Sequence, residues 1–204
     1  MPIVFVVDDD LSVRKSLESL FRSAGLKVRL FASAQAFLSH PSVRAPSCLV
    51  LDVSLPDLNG LDLQQRIAQE RVHMPIVFIT GHGDIPMSVK AMKAGAVEFL
   101  AKPFDGDTLL EAVRYAIERS NATLDSQAEI QVLVACLSSL SSRERQVMEL
   151  VVSGLPNRQI GAELGISEIT VKAHRGRVMQ KMRAPSLADL VKIATKLHLS
   201  SPLR

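Results

Sequence analysis

The 204-residue sequence predicts an α/β unit, a doubly wound parallel sheet of five strands, followed by an all-α unit of four helices. Three observations predict it. Over the first 120 residues, five short apolar runs alternate with segments of helical periodicity. A later stretch of about 55 residues carries four helical patterns. The charge divides between the same two regions. Residues 1–124 hold 13 Lys and Arg against 14 Asp and Glu, a net −1, and residues 125–204 hold 11 against 7, a net +4. With 47% hydrophobic residues the chain can bury one or two ordinary cores, and its length favours two domains.

The five runs are "IVFVV" (3–7), "LKVRLF" (26–31), "CLVL" (48–51), "IVFIT" (76–80) and "VEFL" (97–100). They are too short for helices and rich in β-branched residues, so they read as strands. Between them Val13, Leu17, Leu20, Phe21 and Ala24 recur at helical spacing, then Leu61, Leu63 and Ile67, then Val89, Met92 and Ala96. Repeated strand–helix units imply a parallel sheet covered on both faces, with ligands gathering beyond the carboxyl ends of the strands. From Asp107 to Ser153 there is neither glycine nor proline. The last helix of the first unit starts on Leu110, Val113, Ile117 and Leu124, then meets polar "LDSQAEIQ", and "LSSLSS" at 137–142 marks a boundary. Two readings stand: one long helix, or a helix followed by a looser linker. The expected division is a first domain over 1–122, a partly helical linker over 123–138 and a second domain over 139–200.

Several classes are excluded. No apolar run approaches the roughly 20 residues that span a bilayer, and "MPIVFVVDDD" lacks the basic start of a secretory signal. The expected location is the cytoplasm, with no membrane partner. Cys48 and Cys136 lie far apart without C-x-x-C or Cys/His ligand spacing, so ordinary packing is expected in place of a disulfide or zinc site. His40, His73, His82, His174 and His198 also lack ligand spacing, and His174 reads as a partly buried, hydrogen-bonded side chain.

The strand ends carry the chemistry. The first run ends in Asp8 and Asp9, the third in Asp52, the fourth in Thr80, and the fifth is followed by Lys102 and Pro103. All fall on one edge of the predicted sheet. Converging carboxylates raise one another's pKa unless a cation intervenes, and an oxygen-only set with few protein ligands suits Mg²⁺, with Mn²⁺ as an alternative. An Asp beside a divalent ion, an ammonium and a hydroxyl is equipped to accept a phosphoryl group. Singly, each residue has a plainer reading: a strand-end Asp as a helix cap, Thr80 as a strand residue, Lys102 as a solvated charge. Asp10 is expected to start the first helix, where negative charge suits the dipole.

Over residues 1 to about 122, "VVDDD", "LVLDVSLPDLNGLDL", "IVFITGHGD" and "AMKAGAVEFLAKPF" resemble the receiver domain of two-component response regulators, a flavodoxin-like fold. The resemblance implies that Asp52 is the phosphoacceptor and that Asp8, Asp9, Asp52 and the main-chain carbonyl of Ser54 hold the metal. Thr80 and Lys102 would bind phosphoryl oxygens, the Lys102–Pro103 bond would be cis, and Phe99 would be the switch aromatic, although plain strand packing also accounts for it. A phosphoryl group brings about −1.5 to −2 charge, enough to draw Thr80 inward and reorder "TGHGD". The surface from Lys90 to Phe99 would then change shape and serve for dimerisation. A rival reading takes "VVDDDLS" as the D-x-D-x-(T/S) start of haloacid-dehalogenase-like phosphatases, with Asp8 as nucleophile and Asp10 as general acid. It leaves Asp52 without a role, and no acidic pair follows Lys102 at the end of a further strand.

In the second unit, "AELGISEIT" reads as helix, turn and helix, with glycine at the bend and Ser167 as a cap. The helix after it carries Lys172, Arg175, Arg177, Lys181 and Arg183 against one acid. Val171, Val178 and Met182 form its inward stripe with His174 at the margin, while Ile169, Ala173, Gly176 and Gln180 face outward beside Lys172 and Arg177. Small side chains between long basic ones suit close approach to a major groove; charge alone equally allows an amphipathic surface helix. "SSRERQVMELVVSGLPNRQI", "LGISEITVKAHRGRVMQKM" and "LADLVKIA" resemble the LuxR/NarL-type helix-turn-helix domain, and the whole chain resembles the FixJ subgroup of regulators. That resemblance implies base contacts from Lys172 and Ala173, backbone contacts from Thr170, Arg175 and Arg177, a further DNA contact from Lys181, and a dimerisation helix over 186–197. Gly176 departs from relatives with lysine there, which removes one base contact.

The expected protein is therefore a transcription factor that takes a phosphoryl group from a sensor histidine kinase onto Asp52 with Mg²⁺, dimerises and binds promoter DNA. RNA polymerase is an expected partner. It would act as a phosphoacceptor that promotes its own phosphorylation and dephosphorylation, and not as a turnover enzyme. A regulator that binds DNA constitutively, using the first unit for protein contacts, is the other reading.

Overall fold

The computed structural model describes residues 1–81 and 84–199. The chain divides into two compact units, Met1–Asp125 and Ser126–Arg204.

The first unit is the expected doubly wound sheet. Strands β1 (Ile3–Val7), β2 (Lys27–Phe31), β3 (Ser47–Asp52), β4 (Ile76–Thr80) and β5 (Glu98–Ala101) are all parallel, in the order β2-β1-β3-β4-β5. Helices α1 (Leu11–Ser23), α2 (Ala34–Leu38), α3 (Gly60–Glu70), α4 (Ile85–Lys93) and α5 (Gly106–Ser138) connect and follow them. β1 pairs with β2 on one side and β3 on the other, so the winding reverses at the carboxyl ends of β1 and β3.

Strand alternation sorts the core into two layers. Phe5, Val7, Leu49, Leu51 and Phe78 pack on one face with Ala34, Phe37, Leu63, Ile67 and Ala91; Val4, Val6, Val50, Val77 and Ile79 pack on the other with Leu17, Phe21, Leu109 and Val113. Each fully enclosed Phe or Leu contributes about 1.5–3 kcal/mol of transfer free energy. Cys48 lies in the second layer, where burial pushes its thiol far above the ordinary range, and both cysteines are free.

Helix starts follow the capping chemistry of the sequence. Asp10, Ser33, Asn59 and Asp84 each accept a backbone N–H of the helix they precede. The sequence reading names no helix between the second and third strands. α2 forms there on only five residues, too few to display a period. Of the two readings for the segment after Arg119, the unbroken helix forms: α5 runs 33 residues to Ser138.

The second unit holds α6 (Ser142–Val152), α7 (Asn157–Leu164), α8 (Glu168–Lys181) and α9 (Leu187–Lys196), the four expected helices, around Val147, Met148, Ile160, Val171, Val178 and Leu190. Ser141 and Glu144 close a capping box on α6. The α7–α8 turn depends on two glycines. Gly165 ends α7 at φ 66°, in the left-handed region, and a Cβ on Gly161 would lie 2.7 Å from the carbonyl oxygen of Ile166.

Candidate functional site

The acidic pocket is assembled by strand register. Asp8 follows β1, Asp52 ends β3, Thr80 ends β4, and Lys102 follows β5; the pairings Val7 with Leu51, Asp52 with Ile79 and Thr80 with Ala101 set these ends side by side. Lys102 Nζ lies 2.7 Å from Asp8 Oδ2 and 2.8 Å from Asp52 Oδ2. Asp8, Asp9 and Asp52 each present a carboxylate oxygen within 4.8 Å of the other two. Asp8 is 0% exposed, Asp52 6% and Thr80 0%, whereas Asp9 is open to solvent.

Burial raises the Asp8 carboxyl above its ordinary value, against the opposing hydrogen bonds from Lys102 and the Asp10 N–H. For Lys102, burial alone would lower the ammonium; its bonds to Asp52 and Asp8 outweigh that and raise it. Asp52 Oδ1 also accepts from the Ser54 N–H at 3.0 Å. The set is entirely oxygen-bearing, partly desolvated and open on the Asp9 side, which fits a hard divalent cation that keeps several waters.

Asp10 is turned away from this cluster. Its carboxylate accepts from Ser12 N at 2.7 Å and Ser12 Oγ at 2.6 Å, and these bonds hold its pKa low. A general acid needs the opposite shift, so the phosphatase reading loses its proton donor as well as any use for Asp52.

Phe99 is half-buried on β5, its ring 6.0 Å from that of Phe78. Thr80 shares a sheet face with Phe78, and Phe99 with Ala101, so Thr80 and Phe99 project to the same side two residues out of register. The Lys102–Pro103 peptide is cis, as the resemblance implies. Within "TGHGD", His82 and Gly83 lie outside the described residues.

Gly60 is a positional requirement that the sequence reading did not single out. A Cβ there would lie 2.6 Å from the carbonyl oxygen of Asp52, so α3 can start against the end of β3 only with glycine at its first residue. The signal available was the Asn-Gly pair closing "SLPDLNG", in which Asn59 also caps α3 through Leu61 N.

The second candidate surface is α8. Val171, Val178 and Met182 are buried, and Ile169, Lys172, Ala173, Gly176, Arg177 and Gln180 are exposed, Ile169 by 80%. Among the described residues, and apart from its chain neighbours and the nearby backbone of its own helix, no atom lies within 4 Å of a Cβ built on Gly176. Lys172 Nζ lies 3.6 Å from Glu168 Oε1 on the exposed side, whereas Arg175 and Lys181 are engaged with other segments of the unit. Arg175 Nη1 donates to Asn157 Oδ1 at 3.0 Å, and Lys181 Nζ bonds Glu144 Oε2 at 2.7 Å and Ser139 O at 3.0 Å. Lys181, followed by the Ser141 N–H, lowers the enclosed Glu144 carboxyl to about 2. Thr170 sits half-buried at the cap, its Oγ1 2.8 Å from Ser167 Oγ. His174 is half-buried as expected, but its enclosed Nδ1 has no hydrogen-bond partner among the described residues.

Comparison with known proteins bears on both surfaces. Residues 4–114 match the response regulator receiver domain, and residues 138–200 match the bacterial regulatory proteins of the luxR family. The chain is 54% identical over 199 residues to nodulation protein W of Bradyrhizobium diazoefficiens, covering 98% of this chain and 88% of that one. It is 45% identical over 195 residues to the transcriptional regulatory protein FixJ of Rhizobium meliloti, covering 94% of each. Among solved structures, the response regulator StyR is similar with a TM-score of 0.84 and 48% identity over 96% of this chain and 98% of that one. A strand-end acidic pocket in a receiver fold, followed by a helix-turn-helix with a basic outer face, is thus joined to near full-length likeness, and the chain belongs to the transcriptional response regulators of the FixJ type, with a receiver domain and a LuxR-type DNA-binding domain.

Proposed function

We propose that Asp52 accepts a phosphoryl group from a sensor histidine kinase and that this event controls DNA binding by α8. The observation that carries the reading is the convergence of Lys102 on Asp52 and Asp8, at 2.8 and 2.7 Å, beside a third carboxylate. Asp52 Oδ attacks phosphorus in line while the bond to the donor nitrogen breaks, and the imidazole leaves. Lys102 and the Thr80 hydroxyl take the phosphoryl oxygens, which requires Lys102 to exchange its bond to Asp52 for one to the incoming group. Asp8, Asp9, Asp52 and the Ser54 carbonyl would hold Mg²⁺ or Mn²⁺, which supplies neutralising charge to those oxygens when bound. The chain acts once per phosphoryl group and is not a turnover enzyme.

Movement of Thr80 toward the phosphoryl group frees space on the face it shares with Phe99, and inward rotation of that ring would reshape the α4–β5 surface into a dimerisation face. The dimer, with residues 186–197 as a second contact, sets two copies of α8 on paired half-sites. Lys172 and Ala173 face base edges, and Arg177 and Thr170 face the DNA backbone. Arg175 and Lys181 lie on the same basic helix, but with their bonds to Asn157 and Glu144 they serve first to orient it. RNA polymerase is the downstream partner, the cytoplasm the compartment, and 1–122, 123–138 and 139–200 the working division into receiver, linker and DNA-binding domain. Among the described residues no helix is long and apolar enough to cross a membrane.

The test is promoter DNA binding by wild type and Asp52→Asn before and after treatment with acetyl phosphate and Mg²⁺. Treatment should tighten binding and raise the sedimenting mass to a dimer for wild type only. Equal binding by both proteins under both conditions would favour constitutive DNA binding instead.

A further inference from the structure

Asp57 lies five residues beyond Asp52, in the loop between β3 and α3, and no role has so far been attached to it. Its carboxylate reaches to the start of α2, where Oδ2 accepts from Gln35 N at 2.8 Å and Oδ1 from Ala34 N at 3.2 Å. Ser33 Oγ accepts the next N–H, that of Ala36, at 3.2 Å. At the other end of α2, Arg71, which caps α3, lays its guanidinium 4.4 Å over the Phe37 ring and donates to His40 O at 2.6 Å.

The loop after the phosphoacceptor is thus anchored three ways. Gly60 N donates to Val53 O at 2.9 Å and closes it, Asn59 joins it to α3, and Asp57 joins it to α2. α2 is itself fixed, since Ala34 and Phe37 are 0% exposed in the core. Between these anchors lies Ser54, whose N–H bonds Asp52 Oδ1. An N–H pair accepted by one carboxylate is a directional, charge-assisted tether, stronger than two neutral bonds.

We infer that Asp57 is a positioning residue of the phosphoacceptor site, holding the β3–α3 loop against α2 so that the Ser54 carbonyl is set where a divalent cation shared with the aspartates can use it. The inference rests on the assignment of Asp52 and Ser54 proposed above. Asp57 touches neither the phosphoryl group nor the cation, and acts through the loop.

The test titrates Mg²⁺ into the unphosphorylated full-length chain by calorimetry, and separately against the initial rate of phosphoryl uptake from acetyl phosphate, for wild type, Asp57→Ala, Asp57→Asn, Ser33→Ala and Asp52→Asn. Ser33→Ala removes a cap from the same helix without touching the loop, so it reports what loss of α2 stability does alone. The Mg²⁺ midpoint should rise about tenfold in both Asp57 variants, the lower end of what loss of outer-sphere support costs a metal site, and stay at the wild-type value in Ser33→Ala. Midpoints unmoved in both Asp57 variants, or moved as far by Ser33→Ala, would overturn the tether. Uptake by Asp52→Asn would instead overturn the phosphoacceptor assignment, a result readable whatever Asp57 does.

Discussion

Asp8 and Asp52 are enclosed at strand ends with Lys102 between them, whereas Lys172 and Arg177 stand in solvent along one face of α8. Both regions concentrate charge, but under different dielectric conditions. In the receiver, burial makes each charge costly and each partner strong, so pKa values move and a single atom decides the chemistry. On α8 the charges are screened and separately weak, and in the proposed DNA complex they would act together by displacing counterions. The first region should therefore fail abruptly under single substitutions, and the second should weaken in small steps.

The largest expected contrast is in phosphoryl uptake. Asp52→Asn should abolish labelling by acetyl phosphate, while Lys172→Ala should leave the labelling rate at the wild-type value. Equal rates for Asp52→Asn and wild type would erase the distinction between the regions.

Glycine substitutions sharpen the comparison at the level of folding. Gly161→Ala drives a Cβ to 2.7 Å from Ile166 O, and Gly60→Ala drives one to 2.6 Å from Asp52 O. Each should cost about 1–3 kcal/mol in chemical denaturation, the usual range for overpacking. Gly176→Ala meets open space on an exposed helix and should stabilise the second unit by up to about 1 kcal/mol. A destabilised Gly176→Ala would mean that this face is more crowded than its exposure indicates.

The second unit does contain a charge pair with one enclosed member, Glu144, and pH isolates it. Glu144 has its carboxyl lowered from 4.5 to about 2 by Lys181, so its stabilising contribution is complete above pH 4.5 and is lost as pH falls toward 2. Thermal unfolding of the second unit should show that loss over this window, and Glu144→Gln should flatten it. An unchanged acid limb in the variant would count against the pair.

The smallest effect is expected in salt dependence. Arg177→Ala should reduce the slope of log affinity against log salt by about 1, while Lys181→Ala should lower stability with little change in slope. Identical slope changes would place Lys181 on the DNA after all.

These contrasts follow what could and could not be read from the chain. The strands were legible because five β-branched apolar runs stand between helical patterns, and the pocket because its members sit at the ends of those runs. The inward and outward faces of α8 were legible because helical periodicity is local. α2 was not, being a five-residue helix held by Arg71 and Asp57 from elsewhere. The resemblance placed Arg175 and Lys181 among the DNA contacts, but their bonds to Asn157 and Glu144, 18 and 37 residues away, could not be read there, because those partners meet them only through packing. The turnlike "SLPDLNG" was visible, but that Gly60 must abut the Asp52 carbonyl is a tertiary fact.

The central claim is that Asp52, and not the neighbouring Asp8, is the nucleophile in a pocket they share. After treatment with acetyl phosphate and Mg²⁺, trapping the acyl phosphate by borohydride reduction and mapping the modified peptide by mass spectrometry tests it directly. The expected result is a single reduced residue at Asp52 in the peptide containing "LVLDVSLPD"; modification at Asp8 would contradict the account.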